Sequence, residues 1–176
     1  RIRFYSRVLV EEMRNFDNYK GSIDDNFIEA VFEASPLHDI GKVGIPDDIL
    51  LKSGSLTKEE FEVMKQHTTI GGNILEGPPF LKTGKDIALW HHEKYNGCGY
   101  PHKLSGNEIP LCARIVALSD VYDAFTSKRV YKEEYSHEKA FVYIKQEAGK
   151  HFDPDVVRAF LNRADEFIEI KKKCKD

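Results

Sequence analysis

The order of apolar and polar positions along this chain predicts a succession of helices. Ile2, Tyr5, Val8, Leu9 and Met13 recur at the three-and-four spacing of one helical face, so residues 1 to about 15 read as one amphipathic helix. The polar stretch from Asn15 to Asp25, with Gly21 inside it, breaks that helix. Phe27, Ile28, Val31 and Phe32 mark a second helix ending near Ala34, and residues 46–51 a short third. Thr57 with Glu60 three residues on is a capping-box signal, opening a helix predicted to run to about Leu75, where Gly77, Pro78 and Pro79 stop it. Another helix is predicted over residues 85–94. Asn96 to Pro110, with Gly97, Gly99, Gly106 and Pro101, reads as an exposed loop. Leu111 to Thr126 is the most continuously apolar helix, interrupted by Ser119, Asp120 and Asp123. Ser136 is placed to cap the next helix, and Asp153 with Pro154 to cap and start the last. No alternating run of useful strand length occurs, so the fold class expected is all-α, a compact helical bundle.

Composition narrows this picture. A chain of 176 residues with 41% hydrophobic content can bury one core, so one domain is expected over 1–170, followed by a solvated polar tail, KKKCKD, at 171–176. The charge of -3 leaves no bulk attraction for nucleic acid, so neither DNA nor RNA is an expected partner, and any anionic substrate must be met by local cations or metal. Cys98, Cys112 and Cys174 are an odd number without CxxC spacing, which argues for free thiols in a reducing cytoplasm. No apolar run approaches the ~20 residues of a membrane span, and no membrane contact is expected. The chain starts at Arg1, already inside a helical pattern, and reads as a piece of a longer protein.

The chemistry concentrates in PLHDIGKVGIP at 36–46, where an imidazole, a carboxylate and Lys42 sit among glycines. His38, His67, His91 and His92 all fall in mostly apolar segments, as do Asp39 and Asp120. Each buried polar group without a partner costs about 1–3 kcal/mol, and a shared divalent cation would satisfy them together. Neighbours on a helix diverge by about 100°, so neither His91 and His92 nor His38 and Asp39 easily share one ion from mid-helix, and two or more ions are expected. Imidazole and carboxylate without thiolate suit iron, manganese, nickel or zinc. Asp123, one turn beyond Asp120, is placed to orient a ligand or take part in proton transfer; a plain helix-surface carboxylate is the alternative. Lys128, Arg129 and Lys132 follow; such a cluster is usually a solvated face, but at the end of a helix bearing a metal ligand it is placed to clamp phosphate. His102 and His137 lie in polar segments and read as surface residues.

Six segments in order carry a resemblance over nearly the whole chain: PLHDIGKVGIPD at 36–47, LKSGSLT at 51–57, His67 followed by Gly71, HHEKYNGCGYP at 91–101, IPLCARIVALSDVYDAFTSKRVYK at 109–132, and HFDP at 151–154. The sequence resembles the HD-GYP domain, a bacterial branch of the metal-dependent HD phosphohydrolases. The resemblance implies an all-helical domain hydrolysing cyclic di-GMP to linear pGpG, and further to GMP in many members, at a centre of two or three divalent ions, with iron or manganese foremost and nickel or zinc next. By position it makes His38, Asp39, His67, His91, His92 and Asp120 metal ligands, with Asp39 bridging. It places Lys42 at the scissile phosphate, Arg129 and Lys132 on the substrate's phosphates, and Gly99, Tyr100 and Pro101 on a loop facing substrate or a partner such as a diguanylate cyclase domain. A fused sensory or receiver domain is also implied. Two alternatives remain open: a catalytically weak domain that signals by binding, and a hydrolase of another cyclic dinucleotide such as cyclic GMP-AMP. Asn96, Cys98, Val130 and Lys150 depart from the family pattern, and the family's first-helix histidine would fall about three residues before Arg1.

Overall fold

The computed structural model describes residues 1–127 and 135–174. Ten α-helices are formed among them: α1 (Ile2–Met13), α2 (Asp25–Ala34), α3 (Asp47–Leu50), α4 (Lys58–Lys65), α5 (His67–Ile74), α6 (Lys82–Trp90), α7 (Leu111–Thr126), α8 (His137–Gln146), α9 (Pro154–Asn162) and α10 (Ala164–Lys173). No strand occurs among the described residues, only two isolated bridges, Asn96 with Ser105 and Ala148 with Phe152.

The caps sit where side-chain chemistry places them. Thr57 accepts from the Glu60 N–H while Glu60 accepts from the Thr57 N–H, completing the capping box of α4. Ser136 caps α8 by accepting from Lys139 N–H, and Asp153 caps α9 ahead of Pro154. The core forms where α1, α7, α9 and α10 meet. Tyr5 stacks on Phe167 at 4.7 Å and meets Tyr122 edge-on at 5.2 Å, with Leu9, Met13, Leu118 and Phe160 also buried. α7 is the central element: most of its length is buried, which is why its sequence is apolar on nearly all sides.

Three readings change. The helix expected over 57–75 is two, α4 and α5, parted at Gln66. The helix expected over 85–94 starts at Lys82 and stops at Trp90, before both histidines. The loop of 96–110 is not simply exposed: Gly99 and Ile109 are buried, and residues 106–108 make a 3₁₀ turn. Near the end of the described residues, Lys171–Lys173 form the last turn of α10, with Lys172 and Lys173 exposed.

Candidate metal centre

The site is built where helices end. Residues 35–37 and 40–44 are two 3₁₀ turns with His38 and Asp39 at their junction, so neither side chain is tied to an α-helical direction. Gly41 lets the second turn lie directly on α5: a Cβ there would stand 1.9 Å from the His67 carbonyl oxygen and 2.4 Å from the Gly71 nitrogen. That contact brings Asp39 beside His67, whose Nε2 is 3.5 Å from Asp39 Oδ1. His91 caps the end of α6 and His92 lies past it, which frees the two neighbours from the divergence of a continuous helix. Their rings lie 4.1 Å apart, and one ligand atom from each of Asp39, His67, His91 and His92 falls within 4.8 Å of the other three. The expectation that neighbouring histidines would need separate ions assumed mid-helix positions that they do not occupy.

The ring orientations are fixed from behind. Nδ1 of His38 lies 2.9 Å from the Ser35 carbonyl, Nδ1 of His67 2.7 Å from that of Met64, and Nδ1 of His91 3.0 Å from that of Ile87. A carbonyl only accepts, so in each ring Nδ1 carries the proton and donates, and in the neutral rings of His67 and His91 Nε2 then keeps its lone pair. The Nε2 atoms of His67 and His91 are buried and have no hydrogen-bond partner, an arrangement that costs about 1–3 kcal/mol each unless something binds there.

Burial lowers the pKa of His67, puts that of His91 well below its ordinary value, and takes that of His92 to about 3, so these rings are neutral. Burial would raise the Asp39 carboxyl, but contact with His38 and the Lys42 ammonium outweigh it and hold the group ionised. For His38 burial lowers the pKa, and the carboxylates of Asp39 and Asp120 reverse this into a net rise. His38 Nε2 lies 3.3 Å from Asp39 Oδ2 and 3.7 Å from Asp120 Oδ1, so His38 and Asp120 flank the group on its Asp39 side. Three neutral imidazoles and an ionised carboxylate, two of the imidazoles with orphaned lone pairs, match the preference of iron, manganese or zinc for nitrogen and oxygen donors.

Of the other predicted residues, Lys42 and Tyr100 border this group. Lys42 Nζ donates to Asp39 Oδ2 at 2.6 Å, at the solvent side. Tyr100 stacks on His92 at 4.9 Å, and Gly99 is buried against the backbone of Glu93 and Lys94, where a Cβ would stand 2.3 Å from Lys94 N. Asp123 is paired with Arg1, whose Nε donates to its Oδ1 at 2.7 Å, rather than left as a bare surface carboxylate. Arg129 and Lys132, with Lys128 and Val130, lie outside the described residues. Asn96 makes the turn expected of an aspartate there, its Oδ1 accepting from Cys98 N–H at 3.0 Å. His137 is half-buried rather than superficial, bonded at 2.8 Å to the Tyr122 hydroxyl. Glu93 went unnoticed in the sequence. It is buried, its Oε1 accepts from His102 N–H at 2.7 Å, and it ties the 99–103 loop to the end of α6. A carboxylate directly after a histidine pair and ahead of a glycine-rich loop is the signal that marks it.

Residues 19–156 match the HD domain family. A cyclic di-GMP phosphodiesterase of Vibrio cholerae is 47% identical over the whole chain, which covers 37% of that protein. A 3′3′-cGAMP-specific phosphodiesterase of the same organism is 41% identical over 84% of the chain, covering 29% of its length. A crystal structure of a cyclic GMP-AMP-specific phosphodiesterase of V. cholerae superposes with a TM-score of 0.63 at 16% identity, across 97% of this chain and 45% of that one, which establishes likeness of fold. The chain spans less than half the length of the curated relatives it matches over its full extent.

Proposed function

From the premise that the chain belongs to the HD domain family, we propose that it is the hydrolytic domain of a cyclic di-GMP phosphodiesterase, opening the ring to linear pGpG. One observation carries this reading: ligand atoms of Asp39, His67, His91 and His92 converge within 4.8 Å, with the His67 and His91 Nε2 lone pairs buried and unpartnered. These four residues would hold one divalent ion, and His38, Asp39 and Asp120 a second, with iron or manganese the first choices. Bound there, such ions supply a lowered pKa for water and positive charge for a phosphoryl oxyanion.

The chain's own groups do the rest. The Nδ1–H bonds of His38, His67 and His91 hold three rings in one tautomer, so the donor set is organised before anything binds. Lys42, next to Asp39, draws in the scissile phosphate and adds fixed charge where negative charge grows. Arg129 and Lys132 keep their proposed role on the substrate's phosphates, from the sequence pattern. Tyr100 covers His92 and, with Gly99 and Pro101, shapes the entrance; contact of this loop with a diguanylate cyclase domain belongs to the same proposal. Asp123, held by Arg1, supports α7 near Asp120.

The test is chromatography of cyclic di-GMP incubated with manganese- or iron(II)-loaded protein. Wild type is expected to yield pGpG and Asp39→Ala none; equal turnover by both would remove the metal mechanism. A second reading, hydrolysis of 3′3′-cyclic GMP-AMP, is favoured by the 41% identical relative and is decided by running both substrates side by side.

A further inference from the structure

Beside the metal group lies a concavity of about 160 Å³, lined by Glu62, Lys65, Gln66, Thr69, Tyr100 and Pro101. At ~30 Å³ per water this is room for about five waters, the scale of one heterocyclic base rather than of a dinucleotide. It adjoins the centre on two sides. Gln66 immediately precedes His67, and Tyr100, one wall of the cleft, stacks on His92. A ligand whose phosphate lies at the metal group therefore has this cleft within reach of its base.

The walls carry the two kinds of group that recognise a base. Tyr100 and Pro101 give a flat apolar side, and Phe61 meets Tyr100 edge-on at 6.2 Å. On the α4 side, Lys65 Nζ lies 2.7 Å from Glu62 Oε2 and 5.6 Å from the Tyr100 ring centroid. The ion pair thus sets an ammonium donor next to a carboxylate acceptor at the cleft's edge. Guanine presents O6, N1–H and the N2 amino group side by side, an acceptor followed by two donors. An ammonium suits O6, and a carboxylate can accept from N1–H and N2–H with its two oxygens. Adenine offers one donor beside one ring acceptor, which leaves a carboxylate oxygen without its proton.

Resting on the cyclic-dinucleotide reading above, we propose that this cleft is the seat of one guanine base of the substrate, and that Glu62 with Lys65 is the element that selects guanine over adenine. A good bidentate base contact discriminates by roughly five- to 150-fold, and Glu62, with 69% of its side chain exposed, belongs at the lower end, about fivefold.

Equilibrium binding of cyclic di-GMP and cyclic di-AMP to an Asp39→Ala background, which is expected not to turn them over, tests this against the double variant Asp39→Ala/Glu62→Ala. The expected result is tighter binding of the guanine ligand in the first protein and a preference about fivefold smaller in the second. An unchanged preference, or no binding of either ligand to the Asp39→Ala protein, overturns the proposal. Wild-type hydrolysis is read separately. Turnover with an unaltered base preference condemns the cleft alone, whereas a Glu62-dependent preference without turnover condemns only the catalytic reading.

Discussion

Gly41→Ala is the smallest change that reaches the site. The added methyl would stand 1.9 Å from the His67 carbonyl oxygen and 2.4 Å from the Gly71 nitrogen, both backbone atoms of α5 that no side-chain rotation moves aside. Real Cβ contacts essentially never fall under 3.0 Å, so the 40–44 turn and α5 must part by about 1.1 Å, the difference between 3.0 and 1.9. Asp39 sits on the first segment and His67 on the second, so the separation falls directly on a pair now 3.5 Å apart. Overpacking of this kind costs about 1–3 kcal/mol, and for a chain of this size each kcal/mol moves Tm by about 2–4 °C. A displacement of ~1 Å at a catalytic centre costs on the order of a hundredfold in rate. Thermal melting should therefore show Tm lowered by roughly 2–12 °C. Metal analysis should show depleted manganese, and cyclic di-GMP turnover should fall about a hundredfold. A Gly41→Ala protein with wild-type Tm, metal content and turnover would refute the claim that close backbone approach assembles the centre.

Further predictions concern other parts of the molecule. Asp153 forms a buried ion pair with Arg114 and caps α9, so Asp153→Ala leaves the guanidinium with Asn107 alone, removes the cap, and should cost about 3–5 kcal/mol in urea unfolding; a loss under about 1 kcal/mol would mean that pair and cap together contribute little. His151 is stacked on Phe152, and burial lowers its pKa to about 4, below the unfolded value near 6.5. Its folded form resists protonation, so it contributes stability fully present above pH ~6.5 and lost as pH falls toward ~4, by at most about 3 kcal/mol. His151→Leu should flatten that part of the stability curve relative to wild type, and parallel curves would dismiss the assignment. Manganese should raise Tm in wild type but not in His91→Ala, because binding to the native state alone stabilises it; the same rise in both would place the ion elsewhere.

Much of the helical order is legible in the residues, and the exceptions have physical causes. α1 and α7 announce themselves by periodicity and by continuous burial, and the starts of α4, α8 and α9 by Thr57, Ser136 and Asp153. The break at Gln66 and the stop at Trp90 carry no glycine or proline; just past each, a histidine Nδ1 turns back on a carbonyl, His67 on Met64 and His91 on Ile87, leaving Nε2 for the centre. Identity of the site residues was readable from residue type and setting, but their convergence was not. A geometric argument from a regular helix separates His91 from His92, and the actual helix end joins them. The loop at 96–110 misleads for a related reason. Glycine reads as exposure, whereas Gly99 is there so that the loop can lie against Glu93 and Lys94.

Whether Asp39, His67, His91 and His92 hold one metal ion together is decided by anomalous diffraction at the manganese edge from crystals grown with manganese. A peak is expected within bonding distance of an Asp39 oxygen, of Nε2 of His67 and of His91, and of a ring nitrogen of His92. Crystals with manganese bound elsewhere, or with no peak among these four side chains at saturating metal, would contradict it.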